Sequence, residues 1–387
     1  MRATTYRNNS RVFIFGAGVS KAVAGAPVMK ELFREMEKRY ECDKLKVDTC
    51  LVARNRVRLF KEFLSLIGKM ESFALKPYAR LKDSPNHSVE VKIREHIEYL
   101  ITFLDMSIQY APPVELKEGG LLLDSLPSVP FFGISSKQIK DARDAINIYL
   151  YLCLSGLEDE KDILGKFFHD HLRENDHLIS FNYDLLVERS LLQLGKWSPL
   201  EGYVGVDAFK NEEDKKRIVS SDLGKSPYRL LKLHSSINWT WEYKGLQPEN
   251  INHPIVMILD DWEEGFFFPK LEKILGRKPQ GGYYPVWILP SYVKTFSKAP
   301  FLIEIWREAE RMLSETKYLV LLGYSFPEQD SQSQLLFAAL PDDCRILIVD
   351  PDANTIKTRI HKLFQFSNIS TQNMVFEEWV IKRCPEI

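Results

Sequence analysis

The chain has 387 residues, 45% of them hydrophobic and 27% charged, with a formal net charge of -1. That length suggests two to three domains with a sizeable core. The balanced charge gives no basic excess for phosphate-driven nucleic-acid binding. The five cysteines (Cys42, Cys50, Cys153, Cys344 and Cys384) are odd in number and contain no Cys-x-x-Cys pair, against a disulfide framework or a four-cysteine zinc site. No apolar run approaches the roughly 18 residues of a membrane span. The first apolar stretch, Val12–Phe15, is too short for a signal-peptide core, so a cytoplasmic protein is expected.

Val12–Phe15 reads as the first strand and runs into Gly16-Ala17-Gly18-Val19-Ser20. Glycines between a strand and a helix let backbone approach a diphosphate, whose charge the helix N-terminus favours. A tight strand–helix turn without a ligand fits the same residues.

Residues 31–174 show helical periodicity and no strand. The stripes are Phe60, Phe63, Leu64, Ile67; then Ile97, Leu100, Ile101, Leu104, Ile108; then Ile139, Ala142, Ile146, Tyr149, Cys153. Breaks at Pro112-Pro113, Gly119-Gly120, Pro127 and Pro130 separate the second from the third. This stretch is expected to be an all-helical insertion of four or five helices. His169, His171 and His177 with Asp170 and Asp176 match no familiar metal-ligand spacing and read as a solvated helix end.

The next strand, His177–Phe181, ends at Asn182-Tyr183-Asp184. An amide and a carboxylate at a strand end can hold ribose hydroxyls, a carboxamide or a water, and both also favour helix starts. The mixed-sign run Glu212–Arg217 reads as an exposed face. The strand Arg229–Leu233 leads to His234, which can titrate near neutrality as a general base or sit in the core with its hydrogen bonds satisfied. Residues 240–282 read as loop with an acidic run at Asp260–Glu264, before a further β-type segment at Pro285–Leu289.

After Ala299, Leu302, Ile305, Trp306, Ala309 and Leu313 fall on one helical face. The strand Tyr318–Leu322 then ends at Gly323-Tyr324-Ser325, and short helices follow Ser331 and Ala353. The strand Arg345–Val349 ends at Asp350, an acid placed to bind ribose hydroxyls or to make a turn with Pro351 and Asp352. Short apolar strands alternating with helices indicate an α/β fold: a Rossmann-like, doubly wound parallel sheet with helices on both faces and a large helical insertion. The expected division is 1–30 with 175–387 as the sheet domain and 31–174 as the insertion. In open sheets of this kind ligands bind at the carboxyl ends of strands, where the four polar strand ends would form one crevice.

In order, Gly16–Ser20, Asn182–Asp184, Leu233-His234, Gly323–Ser325 and the acidic strand end at Asp350 resemble the sirtuin superfamily. The phrases Lys232–Trp239 and Phe376–Trp379 are similar to its bacterial branch of NAD-consuming antiphage proteins. The resemblance implies that Gly16, Ala17, Gly18 and Ser20 contact the NAD diphosphate and adjoining ribose. It implies that Asn182 positions the attacking water or the nicotinamide ribose, that Asp184 helps hold the carboxamide, and that His234 is the base. Gly323 and Ser325 would line the diphosphate and adenosine-ribose side, and Asp350 would contact adenosine. NAD would be the substrate and no metal would be needed. Residues 235–322 contain no cysteine, unlike the zinc module of deacylating sirtuins. Phe181, Ser235 and Val28-Met29-Lys30 also depart from the deacylase pattern. The expected activity is therefore NAD hydrolysis, with a protein deacylase or a non-catalytic NAD or ADP-ribose sensor as alternatives. A homo-oligomer and a separate regulator such as a HerA-like ATPase are the expected partners.

Overall fold

The computed structural model describes residues 11–79, 100–102, 104, 135–197, 202–203, 228–242, 255–256, 283–287, 301–327 and 330–385. They divide into two compact units. One holds the described residues up to Ala26 and those from Leu154 onward, and the other lies within Pro27–Cys153.

The first unit is built on β1 (Arg11–Phe15), β2 (His177–Ser180), β3 (Arg229–Lys232), β7 (Tyr318–Leu322), β8 (Arg345–Val349) and β9 (Ile369–Gln372). They form one sheet in the order β3-β2-β1-β7-β8-β9, and every pairing is parallel. β1 and β2 are buried at every consecutive position. Successive side chains in a strand point to opposite faces, so both faces of the sheet are covered. That is why Val12–Phe15 of β1 read as an unbroken apolar run. The chain steps outward from β1 to β2 and β3, then returns to β7 on the other side of β1. The crevice at this reversal lies beyond the ends of β1 and β7.

The covering helices are α1 (Ala17–Ala24), α5 (Ile163–His171), α6 (Leu186–Gln193), α7 (Phe301–Glu315), α8 (Ser331–Leu335), α9 (Ala353–Phe364) and α10 (Phe376–Ile381). Phe167 of α5 meets Phe13 edge-on at 5.5 Å, and Phe168 meets Phe15 at 5.9 Å. Phe167 also reaches Phe376 and Trp379 of α10, at 5.5 and 5.9 Å. At the start of β1, Arg11 makes a two-pronged, buried pair with Asp176 at 2.6 and 3.0 Å. This pair accounts for Asp176, while His169 and Asp170 lie exposed at the helix end. Among the described residues no group of three or more His, Cys, Asp or Glu could hold a metal ion. No helix among them is long and apolar enough to cross a membrane.

A second, antiparallel sheet of β4 (Ser235–Glu242), β5 (Ile255–Val256) and β6 (Tyr283–Trp287) has the order β5-β4-β6. It corrects the sequence reading in two places. Part of the expected loop 240–282 is strand, and the β-type segment near Pro285 pairs antiparallel with β4 instead of joining the main sheet. β9 was also not expected. The expected exposed face at 212–217 and the acidic run at 260–264 lie outside the described residues.

The second unit contains α2 (Met29–Lys44), α3 (Leu51–Ala79) and α4 (Ser136–Leu154, all but its last residue). Phe60 stands against Tyr40 at 4.8 Å and Tyr149 at 4.5 Å, and Phe33 against Phe63 at 5.9 Å. The stripe Ile139, Ala142, Ile146, Tyr149 and Cys153 is buried throughout. The Tyr149 hydroxyl donates to Asp43 at 3.1 Å, satisfying a phenol that burial would otherwise leave unpaired. Of the middle stripe, Leu100, Ile101 and Leu104 are buried, while Ile97 and Ile108 lie outside the described residues.

Candidate functional site

The turn from β1 into α1 is locked against the turn that follows β7. Gly16 donates its N–H to the Leu322 carbonyl and Gly18 to the Gly323 carbonyl, both at 2.9 Å, and Gly323 donates to Val349 at 2.9 Å. A Cβ on Gly16 would lie 2.5 Å from the Gly323 oxygen, and one on Gly18 would lie 2.8 Å from the Gly323 Cα. The glycines are thus explained by two backbones in contact at the switch point. Ala17 begins α1, and Ser20 is buried within it.

The Asn182–Asp184 loop is tied to this turn. The Asn182 amide donates to the Gly16 carbonyl and to the Ser20 hydroxyl, both at 2.9 Å. A backbone carbonyl can only accept, so the NH2 end must face Gly16 and Oδ1 points elsewhere. Ser20 Oγ in turn donates to Asp184 Oδ2 at 2.6 Å, a short bond typical of a hydroxyl on a carboxylate. Asp184 Oδ1 accepts from the Leu186 N–H at 3.1 Å, satisfying the first backbone donor of α6. Asp184 thus gives one oxygen to the start of the helix and the other to Ser20.

On its other side the same loop is tied to the β3–β4 turn. Lys232 donates to the Asp184 carbonyl at 2.7 Å and pairs with Glu188 at 2.9 Å, both side chains fully buried. Burial pushes the Glu188 carboxyl up, opposed by the Lys232 ammonium. Tyr203 donates to Glu188 at 3.0 Å, and burial holds its own hydroxyl well above the usual phenol range. The Ile237 N–H donates to the Tyr183 carbonyl at 2.9 Å. The β3–β4 turn is sharp enough to put Ser235 at φ 70.

His234 sits in that turn and is 9% exposed. Its ring lies 5.1 Å from Phe181 and 5.9 Å from Tyr183, with Trp306 stacked at 6.4 Å. Trp306 is held by its own bond to the Leu233 carbonyl at 2.9 Å. Phe181 stacks on Tyr324 at 4.5 Å, linking the histidine to the turn after β7. The imidazole Nε2 faces Asp330 Oδ2 at 3.3 Å.

The structure therefore joins Gly16, Ser20, Asn182 and Asp184 by direct hydrogen bonds, locks Gly18 to Gly323, and sets His234 beside them through aromatic contacts. Ser325 is exposed, with its carbonyl accepting from Arg359 at 3.2 Å. Asp350 follows β8 on the same edge, but its Oδ1 accepts from the Asp352 N–H at 2.8 Å, closing a turn. Burial raises its pKa. Neither Ser325 nor Asp350 enters the hydrogen-bonded chain. Asp330, Lys232, Glu188 and Tyr203 had no assigned place in the sequence reading. Their partners are distant in sequence, and only Asp330 carried a local signal, a helix cap before Ser331.

No family description and no curated protein matches the sequence. Solved structures similar to the chain include a Sir2 in complex with an inhibitor, 2'-O-acetyl-ADP-ribose and a deacetylated peptide, at 11% identity and TM-score 0.36, covering 96% of this chain and 91% of that one. Another, from work on sirtuin substrate affinity, has 11% identity and TM-score 0.39, covering 100% and 99%. A Sir2 homologue in complex with NAD has 14% identity and TM-score 0.32, covering 63% and 71%. Likeness at this level assigns no activity, and the fold class rests on the strand order and pairing described above.

Proposed function

We propose that the first unit is an NAD glycohydrolase that cleaves the nicotinamide–ribose bond to give nicotinamide and ADP-ribose. One observation carries the reading: Gly16, Asn182, Ser20 and Asp184 form a continuous buried hydrogen-bond chain at the switch point of the parallel sheet. That is where an open α/β sheet binds its ligand. The N-terminus of α1 favours a diphosphate there. With both amide protons of Asn182 donated inward, its Oδ1 accepts from the attacking water and aims it. His234, enclosed by three aromatic rings, accepts the proton, an effect worth roughly 10²–10⁴ in rate. We assign Asp184 to the carboxamide, and Gly323, Ser325 and Asp350 to the side taken by the adenosine half.

Water is the acceptor because the chain lacks the cysteines of an acyl-lysine module: none occurs in residues 235–322. Such an activity exhausts cellular NAD, which fits an antiphage effector. It also demands control, and we assign that role to the helical second unit, through self-association or a partner such as a HerA-like ATPase. A monomer hydrolysing NAD at full rate by itself contradicts the control assignment. The activity is tested by following nicotinamide release from NAD with and without an acetylated peptide. Release independent of peptide is expected, and release that appears only with peptide overturns the hydrolase in favour of a deacylase.

A further inference from the structure

A carboxylate outside the proposed chemistry faces the histidine. Asp330 Oδ2 lies 3.3 Å from His234 Nε2, and each side chain is 11% exposed. The carboxylate is not free to swing. Its Oδ1 accepts from the Ser333 N–H at 3.0 Å as the cap of α8, and its backbone N–H donates to the Pro327 carbonyl at 3.1 Å. The imidazole is equally confined, with Phe181, Tyr183 and Trp306 packed around it. Among the described residues set against the ring, Asp330 carries a charge and Tyr183 a titratable hydroxyl. Tyr324, stacked on the far side of Phe181, has its hydroxyl held well above the usual phenol range by burial.

We infer that Asp330 is the positioning residue of His234: it keeps the proton of the neutral ring on Nε2, so Nδ1 is the atom that takes the proton from water. The inference rests on the reading of His234 as the base. The 3.3 Å contact falls short of hydrogen-bond geometry, so it is the charge of the carboxylate beside Nε2 that favours the proton of the neutral ring on that atom. In the proton step, the water oxygen bonds to the anomeric carbon of the ribose as the bond from that carbon to nicotinamide breaks. Nicotinamide leaves with the bonding pair as a neutral molecule, and the water proton goes to Nδ1. The ring becomes imidazolium beside the Asp330 carboxylate and then returns the proton to solvent. An opposite charge at this distance favours the imidazolium, so removing it lowers the histidine pKa, by about one unit or more.

The test is nitrogen NMR of the His234 ring in the full chain without NAD, for the wild type, D330N and D330S, together with the pH profile of nicotinamide release. Ser at this position keeps a cap for the Ser333 N–H while deleting the charge, so a fold defect common to lost capping separates from the loss of the carboxylate. The expected result is a neutral ring protonated on Nε2 in the wild type, and mixed tautomers with a lower pKa in both variants. The acid limb of the rate profile should move to lower pH with the pKa, and kcat should fall about tenfold or more with little change in KM. A wild-type ring protonated on Nδ1, or a ring pKa and tautomer unchanged by both variants, overturns the inference whatever the activity does. Nicotinamide release that survives H234A overturns the base reading instead, while the ring measurements still report on the pair.

Discussion

Gly323 and Gly25 both sit in the left-handed region, at φ 55 and 65, in different surroundings. A Cβ at Gly25 would meet nothing within 4 Å, whereas one at Gly323 would lie 2.4 Å from the Val19 nitrogen and 2.6 Å from the Gly18 carbonyl carbon. Gly25→Ala therefore carries the conformational penalty alone, about 1–2 kcal/mol, partly offset by about 0.4–1 kcal/mol from the less flexible unfolded chain. Gly323→Ala carries the same terms plus a backbone clash that must push the β1–α1 and β7 turns apart, and overpacking of this sort costs about 1–3 kcal/mol more. The six described tryptophans (Trp197, Trp239, Trp241, Trp287, Trp306 and Trp379) belong to the unit that holds the sheet, and residues 27–153 contain none. Tryptophan fluorescence in a urea titration thus reads that unit. The midpoint should drop slightly for Gly25→Ala and by clearly more for Gly323→Ala at similar slope. Equal drops would refute the reasoning, because they would mean that close approach contributes nothing and only the backbone angle selects glycine.

Further outcomes follow from the same structure. Ser20→Ala removes the hydroxyl that bridges Asn182 and Asp184; it should cost about 2–4 kcal/mol by the same urea titration and lower kcat more than it raises KM. Lys232→Met leaves Glu188 buried without its cation; that loss should cost about 3–5 kcal/mol, and Lys232→Met with Glu188→Leu should recover much of it. Burial lowers the His177 pKa below its usual 6.5. The unfolded chain then binds the extra proton first, so stability is full above pH ~6.5 and falls as pH drops toward the folded pKa. The thermal midpoint should decline over that window, and His177→Gln should flatten the decline.

Most of the parallel sheet was legible because its strands are buried on both faces. β7 is apolar throughout and β1 and β8 are apolar after their first residue, while β2 and β3 each carry a buried apolar pair, Leu178-Ile179 and Leu230-Leu231, between polar residues. β9 was not, since Ile369-Ser370-Thr371-Gln372 buries a single residue at the sheet edge. The second sheet was hidden for a different reason. β4 alternates polar Ser236, Asn238, Thr240 and Glu242 with apolar Ile237, Trp239 and Trp241, but Ser236 and Asn238 are as buried as Ile237 and Trp239, so the polar alternates do not mark a solvent face. The chain also enters it through a left-handed Ser235 rather than a recognisable turn sequence. In the site, the strand-end residues could be picked out one by one, but the bonds joining them could not. Ser20 and Asp184 are 164 residues apart, and Asn182 and Gly16 are 166 apart. Asp330 looked like nothing more than the residue before a short helix. Only the fold reveals that one of its oxygens caps that helix while the other faces His234.

The most direct test is nicotinamide release by three proteins compared at equal NAD: wild type, Asn182→Ala and His234→Ala. The expected result is release by the wild type without any peptide, and a loss of about a hundredfold or more in each variant, with tryptophan-monitored folding retained. Full release by both variants, or NAD that stays intact with the wild type even when its partner is supplied, contradicts the hydrolase reading.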